Sequence, residues 1–190
     1  MSMRLITGFS IASFVGVVVL IGSVRDSSAD GPILRARAIV NGAAGSGVSG
    51  EVQFFQLRSG FIAEALIVAK VVGLEPNSVH GFHIHENGTC SPDFAAAGGH
   101  YDPGPFGMSD PDANHPHHMG DLPNLRADDN GVARLEAVTN RVTIGPGANT
   151  LFDANGSSVI VHLNEDSGAT GVPGGSGGPQ IACGVIKLAN

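Results

Sequence analysis

The chain has two cysteines and no Cys-x-x-Cys, no tryptophan, one tyrosine, and only 10 lysines and arginines among 190 residues. Each scarcity excludes something. Two isolated thiols rule out four-thiolate zinc sites and dithiol redox motifs. Ten basic residues against 17 acidic ones give a net charge of −7. With no basic run or patch, nucleic acid is a poor partner. The same acidic balance draws no anionic substrate from long range. Long stretches with apolar residues at helical spacing are missing too, and short β-type runs broken by Gly, Pro, Asn and Asp take their place.

What is abundant fits that pattern: 28 glycines and 11 prolines punctuate the chain. Strands are expected over 33–40, 51–57, 61–74, 79–86, 157–163 and 181–189, with one or two more in 132–144. Residues 87–130 and 167–178 read as loops, the second with Gly at six of its twelve positions. A structureless insertion as long as 87–130 in a compact domain is usually functional. About eight short strands predict an all-β fold, an eight-stranded Greek-key β-sandwich or barrel with long loops, in one domain over residues 30–190.

The N-terminus reads separately. Arg4 and Arg25 enclose 20 uncharged residues, and Ser27-Ser28-Ala29 precede Asp30 as small residues suited to cleavage. Residues 1–29 are expected to be a removed secretory signal, sending the product to a periplasmic or extracellular space. Uncleaved, the same run is long enough to span a bilayer, and it is the one route to a membrane. Export suits the cysteine count: in an oxidising compartment a single Cys90–Cys183 disulfide is the simple expectation.

The strongest signal is histidine. Seven of the eight lie between His80 and Asp121, and the eighth is His162 in SSVIVHLNED. In a strand GFHIHE, His83 and His85 share one face while Phe82 and Ile84 take the other, so two imidazoles on a stiff element can grip one metal ion. HENGT is not His-Glu-x-x-His, which excludes the zinc-protease helix. A cupin would need its Glu farther on than Glu86.

Six ordered motifs, GFHIHENG, AGGHYDP, HMGDLPNL, ADDNGVA, VIVH and IACGVI, resemble the copper/zinc superoxide dismutase family from about residue 33 to the end. The resemblance implies that His83, His85, His100 and His162 hold copper, with His100 bridging to zinc. It implies zinc on His100, His118 and Asp121, an outer carboxylate at Asp166 that holds ring N–H groups, and the Cys90–Cys183 pairing. The implied reaction is dismutation of superoxide anion by Cu(II)/Cu(I) cycling, with His100 delivering a proton. Family members associate in several ways, a homodimer among them.

Two positions depart from the family pattern. Met108 stands where a third zinc histidine belongs, and a thioether is a poor ligand for Zn(II). Zinc is therefore expected to be substoichiometric unless His115 or His117 swings in; a solvated polar loop is the blander expectation for those two. Gln180 stands where an Arg would hold the anion, so docking of superoxide is expected to be weaker. The rival to an enzyme is an exported copper-binding protein on the same fold with little or no dismutase activity.

Overall fold

The computed structural model describes residues 33–59, 62–104, 109–110, 112–113 and 116–189. The leader 1–29, Met108 and His115 lie outside the described residues.

β1 (Arg35–Gly42), β2 (Ser49–Ser59) and β3 (Ile62–Val72) form an antiparallel meander whose register runs without slippage from Arg35↔Phe55 to Asn41↔Ser49 and from Ser49↔Val72 to Ser59↔Ile62. The strict period of two in RARAIVNG sets this: Ala36, Ala38 and Val40 point inward while Arg35, Arg37 and Ile39 face out. Val52 and Phe54 from β2, and Ala65, Ile67, Ala69 and Val71 from β3, complete the inner face.

Beyond β3 the chain crosses to the other side of the sheet. β4 (Val79–His80) and β5 (Phe82–His85) are separated only by Gly81. The remaining strands are β6 (Leu125–Arg126), β7 (Ala133–Thr139), β8 (Ser158–His162) and β9 (Gln180–Ala189). Among the described residues, seven strands make one antiparallel sheet in the order β5-β8-β9-β1-β2-β3-β7, and β4 pairs with β6. Because β4 leads into β5 and β6 leads into β7 through the Ala127↔Ala133 bridge, the short ladder links the two edge strands and curls the sheet. The all-β expectation holds; β4 and β5 fill the one expected strand 79–86, and 132–144 holds one strand, β7.

Two details differ from the sequence reading. The expected loop 87–130 contains a 3-10 turn, Phe94–Ala97, and the two residues of β6. Both elements are too short to leave a periodic signal. The turn packs Phe94 and Ala97 against Ile160 and the Cys90–Cys183 disulfide, which ties the loop after β5 to β9 with Cα atoms 5.8 Å apart.

β5 and β8 are buried on both faces, and this singles them out. Phe82, Ile84, Val159 and Val161 belong to the main core. The opposite faces of these strands are covered by the long loops, and there the histidines lie.

Candidate metal centre

β5 is held from both sides. β8 pairs with it from Phe82↔Val161 to His85↔Ser158. On its other edge, Ile84 donates its N–H to Gly120 O (2.9 Å) and accepts from Tyr101 N–H (2.9 Å), while isolated bridges join His83 to Asp121 and His85 to His100. The loop approaches so closely that a Cβ on Gly120 would lie 2.3 Å from Ile84 O, so no side chain fits there. Residues far apart in sequence are thus fixed next to His83 and His85 by backbone pairing alone.

The side chains follow. His83, His85, His100 and His162 are all buried, and each offers a ring nitrogen within 4.8 Å of those of the other three. Ring centroids of His83 and His100 are 4.1 Å apart, and those of His83 and His162 are 4.8 Å apart. His100 also belongs to a second buried group with His118 and Asp121. One imidazole therefore stands between two converging sets of donors.

The outward nitrogens are anchored, which fixes which nitrogen faces inward. His85 Nδ1–H donates to Gly98 O (2.8 Å), His162 Nδ1–H to Gly178 O (2.8 Å), and His83 Nε2–H to Asp166 Oδ2 (2.9 Å). This is how protein metal sites orient imidazole ligands. In the second group, Asp121 Oδ1 lies 2.7 Å from His100 Nδ1, and Oδ2 lies 3.0 Å from His118 Nδ1 and accepts the His118 backbone N–H at 2.9 Å.

Burial holds the His83 imidazole down to a pKa of about 3, with the Asp166 hydrogen bond pulling the other way and the neighbouring His100 and His162 adding to the depression. Burial, then His100, also keeps His85 well below the ordinary histidine range. Both rings are neutral near pH 7, the form that binds metals.

The residues fit metal ions. His85 Nε2 is a buried lone pair with no hydrogen-bond partner, an arrangement that costs about 1–3 kcal/mol unless something electrophilic meets it. Four imidazoles could hold Cu(II), and two imidazoles with a carboxylate could hold Zn(II).

The structure brings together His83, His85, His100 and His162, and separately His100, His118 and Asp121, as the sequence reading grouped them. Asp166, the proposed outer carboxylate, lies with Oδ2 2.9 Å from His83 Nε2. Gln180 opens β9 directly beside His162 in the ladder. His117 is exposed and belongs to neither group.

Three supporting residues escaped the sequence reading. His80 Nδ1–H donates to His162 O (2.7 Å), with Ser78 Oγ 2.6 Å from its other nitrogen. Asn124 grips the backbone of Asp166 twice, donating to its carbonyl (2.9 Å) and accepting its N–H (3.0 Å). Arg141 donates to the carbonyls of both His118 (2.8 Å) and Asp121. Asn124 sits inside a quoted motif and His80 immediately before one, and both were open to a guess; nothing local marks Arg141, which lies 20 residues beyond Asp121.

Comparison with known proteins agrees with this geometry. The family model for copper/zinc superoxide dismutase matches residues 48–186. A superoxide dismutase [Cu-Zn] of Aquifex aeolicus is 37% identical over 142 residues, covering 73% of this chain and 79% of the relative. The extracellular superoxide dismutase [Cu-Zn] of Onchocerca volvulus is 36% identical over 165 residues, covering 82% and 76%. Among solved structures, a crystal structure of the clock protein EA4 superimposes with a TM-score of 0.63 at 27% identity, covering 82% of this chain and 94% of that one.

Proposed function

The chain belongs to the copper/zinc superoxide dismutase family, and from that premise we propose that it disproportionates superoxide at the four-histidine group, with His83, His85, His100 and His162 as copper ligands. It is an oxidoreductase of a family whose cofactors are copper and zinc. The observation that carries the site assignment is the convergence of four buried imidazoles from β5, the following loop and β8.

The chemistry copper supplies is reversible one-electron transfer, by which two superoxide ions and two protons become one O2 and one H2O2. The protein's own contribution is geometry and protons. His83, His85 and His162 keep fixed orientations because Asp166, Gly98 and Gly178 hold their outer nitrogens. His100, shared by both groups, is the residue placed to take up a proton and hand it to the reduced product. Its hold on Asp121 keeps the ring in register while it does so. Gln180, beside His162, offers an amide N–H to the incoming anion but no charge.

Zinc would sit on His100, His118 and Asp121, where His118 and Asp121 are steadied through their carbonyls by Arg141. With Met108 in the chain, zinc below one per protein is the expected result of metal analysis after refolding with both metals. One tightly held zinc would overturn that expectation.

The test of the main reading compares copper-loaded protein with His162→Ala. The parent should consume superoxide, and the variant should lose nearly all of that activity together with copper retention. Equal activity in the two would remove the site assignment. Export as a chain beginning near Asp30 is supported by the composition of residues 1–29 and by the disulfide. A homodimer is proposed from the family alone. The mass and sedimentation of the exported protein test both.

A further inference from the structure

Five glycines of the 167–178 loop, Gly168, Gly171, Gly174, Gly177 and Gly178, hold φ values of 67, 71, 73, 106 and 66°. A segment this rich in glycine surrenders much conformational freedom on folding and needs anchors. Its C-terminal end rests on the four-histidine group. Gly178 O accepts from His162 Nδ1–H at 2.8 Å. A Cβ on Gly177 would come within 2.7 Å of His162 Cβ, and a Cβ on Gly81 would lie 2.8 Å from Ser176 O and 3.2 Å from His83 Cε1. The height of residues 176–178 therefore sets how the His162 ring is held.

The anchor for this stretch comes from the other metal-bearing loop. Asp112 Oδ2 accepts the Gly174 N–H at 3.0 Å, its Oδ1 accepts the hydroxyl of buried Ser176 at 3.3 Å, and its backbone carbonyl accepts the Gly171 N–H at 2.6 Å. An ionised acceptor makes the first two stronger than neutral bonds.

We propose that Asp112 is a positioning residue for His162, strapping residues 171–178 onto the histidine group and linking the segment between His100 and His118 to it. This rests on the reading of His162 as a copper ligand. The link runs separately from Asp166 and from the shared His100.

Asp112→Ala, Asp112→Asn and Ser176→Ala test it with two readouts. In the metal-free proteins, amides of 171–178 should exchange hydrogen roughly tenfold faster in Asp112→Ala, while β2 and β3 amides keep the parent's rate. In the copper-loaded proteins the Cu(II) resonance should still report nitrogen ligands, but copper should pass to a chelator several-fold faster. Asp112→Asn, which keeps an oxygen for Ser176 while turning an amide group toward Gly174, should fall between parent and Asp112→Ala. If Asp112→Ala loosens β2 and β3 as well, Ser176→Ala supplies the readout, with faster exchange confined to 171–178. Unchanged exchange in 171–178, or unchanged copper release alongside faster exchange, overturns the proposal. Absence of a nitrogen-ligated copper signal in the parent itself would instead sink the ligand assignment, and the exchange data would still judge the strap.

Discussion

Gln180 is the residue at which we propose that this chain departs most from its family pattern. It begins β9 next to His162, and residues 163–180 include Glu165 and Asp166 but no Lys or Arg. Arg126 already pairs with Glu165 at 3.7 Å, both side chains being exposed. Approach of a small anion therefore gains little from the protein's field. Gln180→Arg should raise the rate of superoxide consumption by roughly tenfold at low ionic strength, with the gain shrinking as salt screens the new charge. A stopped-flow series in salt checks this; a salt-independent rate in the variant contradicts it.

At the level of elements, β5 and β8 are the rigid base and the loops are hung from them. The His-x-His pattern made β5 legible, because period two places both rings on one side whatever the neighbours. Which residues would face those rings was beyond local pattern, since the His85↔His100 and His83↔Asp121 bridges join distant segments. The disulfide fixes one of these segments: Cys183, paired with Ile160 in the ladder, holds the start of the loop that returns to His100. Replacing both cysteines by serine should destabilise the metal-free protein by roughly 4–5 kcal/mol, given a separation of 93 residues and chain-entropy behaviour. Urea unfolding measures it, and a loss below about 1 kcal/mol would mean that the packing of Phe94 and Ala97 suffices without the bond.

For the molecule as a whole, the buried histidines couple stability to pH. His83 titrates near 3 when folded and near 6.5 when unfolded, and His85 shifts in the same direction. Above about pH 6.5 both are neutral in either state and contribute no pH dependence. As pH falls from there toward 3, the unfolded chain binds protons that the folded one refuses, so stability declines, approaching about 1.4 kcal/mol per pH unit for each histidine. Thermal melting of the metal-free protein should be flat between pH 8 and 7 and fall steeply between pH 6 and 4. A flat profile across that lower window would show that the rings are not held neutral.

The sequence alone determined the strand-rich class, the two same-facing histidines of β5, the likeness to a metal-dependent family and the pairing of the two cysteines, because alternation, composition and motif order are local or countable. Tertiary structure decided the rest. The 3-10 turn and β6 are too short to show a period, and Arg141, His80, Asn124 and Asp112 act through backbone groups that sequence spacing cannot bring together. A hydrogen bond to a carbonyl leaves no signature in the residue that accepts it, so these supports become visible only once the sheet has curled and the loops have closed over β5 and β8.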